Sequence, residues 1–127
     1  MKKIDWGNIL LTIKEKAALK TMPDVCAQYI SLRYAGDSDK VLNLSLSNEI
    51  IIGRDKSCHI IIDDKSISRR HCKIYFNEAV MIENLSKTNV TLVNDNFIDD
   101  PVEIIIGDEI KIGLATLVVD SIQGDIL

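Results

Sequence analysis

The segment Ser66-Ile67-Ser68-Arg69-Arg70-His71 packs two hydroxyls, two guanidinium groups and an imidazole into six residues. Side chains of these types suit a catalytic cluster, an anion-binding loop or a polar bend between strands. Gly53-Arg54 lies upstream and Thr88-Asn89 downstream, adding further hydrogen-bond donors. A phosphate monoester carries about two negative charges and three acceptor oxygens, so its site needs an arginine fork together with hydroxyl or backbone donors held on rigid elements. Arg54, Ser68, Arg69, Thr88 and Asn89 are groups of those types, and Gly53 permits close backbone approach beside Arg54.

The catalytic alternatives are weaker. His71 is followed by Cys72, and an imidazole can activate a neighbouring thiol. Adjacent residues on a strand point to opposite faces, however, so the two cannot meet if the segment is extended. Cys72 then belongs in the core and His71 behind the loop. With two histidines in the chain and no paired cysteine motif, neither a zinc centre nor any other metal site is expected. Asp63-Asp64 lacks the carboxylate spacing of a calcium loop and reads as a turn, and His59 reads as a strand or loop residue. No nucleophile, base and oxyanion donor can be grouped, so no catalytic residue and no cofactor is expected.

These candidates need a scaffold. From Tyr29 onward the apolar runs are short, rich in β-branched residues and separated by turn residues, which is the pattern of an all-β sandwich or barrel. Strands are expected near 27–34, 40–46, 49–53, 59–62, 71–76, 79–83, 90–93, 103–106, 109–112 and 115–121. Val41-Leu42-Asn43-Leu44-Ser45-Leu46 alternates most clearly, with its even positions facing inward. Gly36-Asp37 and Asn77-Glu78 mark tight connections, and Gly107-Asp108 reads as a two-residue hairpin turn joining Ile104-Ile105-Ile106 to Glu109-Ile110-Lys111-Ile112. Loops cluster at the two ends of a sandwich, so 53–58, 63–70 and 84–89 are placed to meet at one of them. Asp99-Asp100-Pro101 is a loop before a strand.

Before the strands, Leu10, Ile13 and Ala17 recur at helical spacing over residues 8–21 and Pro23 closes the segment, so a short amphipathic helix is expected. It serves either to bind a partner or to pack on the sandwich. The expected organisation is a helical extension over 1–26, one β-sandwich domain over 27–122 and a tail over 123–127.

A chain of 127 residues with 46% hydrophobic and 27% charged residues has enough material for one core without metals or disulfides. The net charge of −4 argues against a general nucleic-acid binder, which needs a basic face. Cys26, Cys58 and Cys72 are odd in number and match no metal-ligand spacing, which suggests thiols in a reducing compartment. The start of the chain lacks a convincing leader and no run is long enough to span a bilayer, so a cytoplasmic location and no membrane association are expected.

The order Ile52-Gly53-Arg54, Ser68-Arg69-Arg70-His71 and Thr88-Asn89 resembles the forkhead-associated (FHA) domain family, and Ile106-Gly107-Asp108-Glu109-Ile110-Lys111-Ile112-Gly113 is similar to that family's late hairpin. The resemblance covers roughly residues 28 to 121. It implies a two-sheet antiparallel β-sandwich of about eleven strands that binds phosphothreonine peptides in signalling and has no catalysis of its own. By that resemblance Arg54 and Ser68 hydrogen-bond the phosphate, Arg69 lends another contact, Thr88 can reach the phosphate and Asn89 holds the peptide main chain. His71 braces the loop from inside, with Gly53 as further structural support. The partner implied is a phosphothreonine-containing protein, the substrate of a Ser/Thr kinase. A rival of another class is a phosphate-independent assembly or scaffold module of the same fold.

One position departs from the family. Val90 stands where glycine usually follows the asparagine, and a β-branched residue is strained at positive φ. Either the backbone there is ordinary and Asn89 still serves the peptide, or the loop is rebuilt and main-chain recognition is weakened.

Overall fold

Runs such as Ile50-Ile51-Ile52 and Cys72-Lys73-Ile74 carry branched or alternating apolar side chains that suit a pleated surface, and the chain folds as strands. A computed structural model describes residues 28–124. The strands are β1 (Gln28–Tyr34), β2 (Asp37–Ser45), β3 (Ile50–Gly53), β4 (Ile60–Ile61), β5 (Cys72–Phe76), β6 (Val80–Asn84), β7 (Thr91–Val93), β8 (Asn96–Phe97), β9 (Val102–Glu103), β10 (Glu109–Ile112) and β11 (Ala115–Gly124). One sheet has six strands in the order β2-β1-β11-β10-β7-β8 and the other five in the order β4-β3-β5-β6-β9. The expected all-β, two-sheet architecture is therefore present. The helix expected over 8–21, and Cys26 with it, lies outside the described residues.

The two inner faces make one core. Ile30, Leu32, Ile110, Ile112, Leu117 and Val119 come from the first sheet, and Ile50, Ile52, Ile74 and Ile82 from the second. Their alternation with outward residues is the period of two that a half-buried strand requires. In β2 the even positions Leu42 and Leu44 pack inward while Val41 and Asn43 face solvent.

Two features correct the sequence expectation. The pairing is not antiparallel throughout: β3 and β4 run parallel, with Ile52 opposite Ile60 and Gly53 opposite Ile61. The expected hairpin of 104–106 with 109–112 does not form either. Here β9 ends at Glu103 and pairs with β6, whereas β10 pairs with β7 and β11 in the other sheet. The chain crosses between sheets at 104–108. Ile104 N donates to Val80 O at 2.9 Å on one side of the crossing, and Gly107 N donates to Val119 O at 2.8 Å on the other. The Asp108 carboxylate accepts from Ile105 N at 2.8 Å and closes the turn.

Strand β8 was not among the expected strands. Asn94 and Asp95 have φ of 52° and 70°, the geometry of a two-residue primed hairpin turn, and they fold Asn96 back onto Val93.

The crossing separates three consecutive isoleucines: Ile104 is 1% exposed, while Ile105 and Ile106 are 58% and 60% exposed. Ile104→Ala is expected to cost about 2–5 kcal/mol in urea unfolding. Ile105→Ala should stay within about 0.5 kcal/mol of the parent. Equal losses would mean that the crossing is placed wrongly.

Candidate functional site

The site begins where β3 stops at Gly53. A Cβ on Gly53 would overlap the Arg69 carbonyl, so only glycine allows the two backbones this close. Across this contact Arg54 N donates to Ser68 O and Asp55 N to Arg69 O, each at 3.0 Å. Arg54 Nε donates to Ile67 O at 2.9 Å, and Cys58 Sγ donates to Arg69 O at 3.0 Å. The loop after β3 is thereby stitched to residues 67–69.

A second set of bonds shapes the loop before β5. Asp64 Oδ1 accepts from Ser66 N at 2.8 Å and from Ser66 Oγ at 2.6 Å, a local turn built on an aspartate side chain. Ser66 Oγ in turn accepts from Leu114 N at 3.1 Å. Gly113, at φ 58°, carries no side chain to collide with Ser66 and Ile67, so the β10–β11 turn can prop the loop from below.

His71 joins these loops to a third. It is fully buried. Ser68 N donates to His71 Nδ1 at 3.1 Å, which makes Nδ1 an acceptor and leaves the ring proton on Nε2. Nε2 then donates to Val90 O at 2.9 Å. The main chain of His71 adds more: its carbonyl accepts from Leu85 N and Ser86 N, and its amide donates to Ile52 O. Burial pushes the imidazole below its ordinary value, against a smaller upward push from the Val90 carbonyl, so the ring is held neutral.

Ser86 was missed in the sequence. Its Oγ accepts from Thr88 N at 3.2 Å and from Asn89 N at 2.9 Å, and lies 2.6 Å from Ser68 Oγ. Asn89 Nδ2 donates to the same Ser68 Oγ at 2.6 Å. The available signal was a serine two and three residues ahead of the amides it caps, a common local turn of hydroxyl side chains. A hydroxyl has two acceptor positions and one proton. Two amides fill both acceptor positions on Ser86, so its proton goes to Ser68. Ser68 therefore accepts twice, and its own proton is left to point away from the network.

The departure at Val90 is resolved by the backbone. Glu78, Asn94 and Asp95 are the non-glycine residues with positive φ among those described, and Val90 is not one of them. Its side chain is exposed and its carbonyl serves His71.

These loops surround an open cleft of about 360 Å³. Arg54, Ser68, Arg69, Thr88 and Asn89 all line it, and the structure adds Lys65, Arg70 and Lys87. Among the described residues no carboxylate lines it. Among the described residues none of the five cations lies within ion-pair distance of a carboxylate, although the field of Arg69 and Arg70 reaches Asp55. The Asp55 carboxyl is held below its usual value chiefly by the Ser57 hydroxyl and amide, with those arginines as lesser contributors. Cys72 is remote from such chemistry: burial pushes its thiol up to about 12, too high for a nucleophile at neutral pH.

Residues 50–113 match the FHA domain family. The chain belongs to that family. It is also similar to the proliferation marker protein Ki-67 of Mus musculus, with 39% identity over 87 residues, which is 68% of this chain and 3% of that protein. The chain thus spans only a small part of that relative. Among solved structures, an FHA domain from a study of phosphothreonine-dependent FHA interactions has a TM-score of 0.65 at 26% identity, covering 72% of this chain and 95% of that one. The FHA domain of an Arabidopsis thaliana hypothetical protein has a TM-score of 0.69 at 25% identity, covering 83% and 97%.

Because His71 is buried neutral, its folded value lies below the ordinary 6.5. The unfolded chain then binds the proton first, so this contribution to stability is intact above pH 6.5 and is lost as pH falls below it toward the folded value. Urea unfolding from pH 7.5 down to about pH 5 is expected to show an acid-side loss that His71→Ala lacks. His71→Ala itself should cost about 1–3 kcal/mol at neutral pH, from the bonds left unmade. Coincident pH slopes for the two proteins would show that His71 does not titrate with folding.

Proposed function

We propose that this FHA domain is a non-catalytic adaptor that docks a phosphothreonine-containing protein segment into the cleft between its three loops. The observation that carries this reading is the convergence, on one small cleft of an acidic chain, of five cations that have no ion pair among the described residues. Clustered like charges repel, and a stability argument alone gives no reason to gather them. A dianionic phosphate supplies the missing charge. At 4 Å each charge pair is worth about 1–4 kcal/mol between the water and near-surface limits.

In this reading Arg54 is the principal phosphate ligand. Its Nε is already committed to Ile67 O, which restrains the guanidinium at the wall of the cleft and leaves its other nitrogens to donate to a ligand. Ser68 donates its outward proton to a phosphate oxygen. Arg69 and Thr88 contribute from the rim. Asn89 uses Nδ2 within the loop network, and its Oδ1 makes no hydrogen bond among the described residues, so it is available to accept from the peptide main chain. Gly53 and His71 support the site without touching ligand. The phosphothreonine-dependent interactions studied for the similar FHA domain support the same class of ligand. A reducing, cytoplasmic setting suits the buried thiols Cys58 and Cys72.

Arg54→Ala is expected to weaken binding of a phosphothreonine peptide about 10–150-fold, the equivalent of one lost charge-assisted bond, with the domain still folded and its stability lowered by no more than about 0.5–1.5 kcal/mol for the lost bond to Ile67 O. Arg54→Lys should recover little of it, since a point charge does not reproduce the fork. Calorimetry with peptides selected from a degenerate phosphothreonine library makes the measurement. A parent that binds no such peptide would move the domain to the phosphate-independent assembly role.

Ser86→Ala provides a separate test of the hydroxyl network. Ser68 would lose the donor that orients it and two loop amides would lose their acceptor, so peptide affinity should fall about tenfold although Ser86 itself need not meet the peptide. Unchanged affinity would show that Ser68 needs no such orientation.

A further inference from the structure

Three of the cations that line the cleft have no task in the proposed function. Arg54 and Arg69 are assigned to the phosphate, and Lys65, Arg70 and Lys87 are left over. A single exposed lysine is an ordinary solvated charge. Here, however, five of the chain's 15 basic residues share one cleft of about 360 Å³, and none of the carboxylates that the structure describes lines it, although acidic residues outnumber basic ones 19 to 15. A phosphate monoester brings about two negative charges, so a surplus of positive charge remains when it binds.

The leftover cations are not equivalent. Arg70 has the Asp55 carboxylate within reach of its field. Lys65 and Lys87 are exposed, and no ion pair among the described residues involves either. Lys65 comes from the loop that carries Ser68 and Lys87 from the loop that carries Ser86, and these loops meet where the two hydroxyls lie 2.6 Å apart. The cleft thus has a lysine on each of the two loops that join at Ser68.

We propose that the partner segment is acidic beyond its phosphothreonine, and that Lys65 and Lys87 each engage an anionic side chain beside it. This inference rests on the phosphothreonine reading and names the class of segment which that reading leaves open. In an extended peptide alternate side chains share a face, so the residues two before and two after the phosphothreonine turn toward the same surface at about 7 Å from it. Those are the positions for the anionic groups, which carboxylates or a second phosphate can supply. A nucleic acid fits less well. Its charge is repeated at every phosphate, whereas the loops that form the cleft also carry carboxylates outside it, Asp55 directly after Arg54 and the exposed Asp63 two residues before Lys65.

The test is calorimetry of the full 127-residue chain with variants of a phosphothreonine peptide selected from the degenerate library, carrying either alanine or glutamate two residues away on both sides. The glutamate peptide is expected to bind about 2–30-fold tighter than the alanine peptide at low salt, the range for two exposed ion pairs, and the gap should shrink as salt is raised. Lys65→Gln with Lys87→Gln should close most of that gap while the alanine peptide keeps its affinity within about threefold. Phosphoserine in place of one glutamate identifies the source of the charge: a further gain points to a second phosphate and no gain to carboxylates, and each supports the proposal. Equal affinity of the alanine and glutamate peptides for the parent overturns the inference and leaves the phosphothreonine reading standing. A library that yields no phosphothreonine peptide overturns both. A single-stranded oligonucleotide that binds more tightly than the glutamate peptide and displaces it also overturns the inference, because the surplus charge then serves a nucleic acid.

Discussion

The hydrogen bonding of His71 is the constraint on which the site depends. One buried residue uses both ring nitrogens and both main-chain groups, and through them it reaches Ile52, Ser68, Leu85, Ser86 and Val90. Those partners belong to β3 and to two of the loops that form the cleft. A ring with one acceptor and one donor can satisfy Ser68 N and Val90 O together only in a single tautomer, and burial disfavours the doubly protonated form, which would set a donor at Nδ1 against the Ser68 amide. The imidazole thus acts as a spacer that defines how far apart two loops stand.

With that spacing set, the rest of the cleft needs few additional restraints. Gly53 lets the Arg54 loop sit against Arg69, and Ser86 collects the amides of the third loop and passes a proton to Ser68. The exposed cations then sit at the rim of a frame built from main-chain hydrogen bonds. This division of labour explains how loops crowded with like charges persist: repulsion between guanidinium groups in high dielectric is small beside a network of satisfied buried amides.

How legible all this was in the sequence differs from element to element. The alternation of Val41 to Leu46 announced β2 and its inward face without ambiguity. Ile104-Ile105-Ile106 misled, because a run of identical residues has no period and a sheet crossing leaves no compositional mark. The parallel β3–β4 pair and β8 are two-residue ladders, too short for any pattern to reveal. At the site, residues of distinctive chemistry such as Arg54 and Ser68 could be named in advance. Ser86 could not, since its importance lies in which amides it caps. Lys65, Arg70 and Lys87 look like any solvated surface charge until the fold gathers them.

The pairing of Gln28 with Gly124 has a consequence for how the domain can be used. Both strand ends leave the sandwich side by side, at the pole farthest from the cleft. A linker joined at that pole would hold the module from behind, and the cleft could then sweep a volume set by the linker's length. Neighbouring binding events would then be coupled through effective concentration, which falls roughly as the −3/2 power of linker length once the span is reached. Changing the linker would tune recruitment without altering a single residue of the cleft.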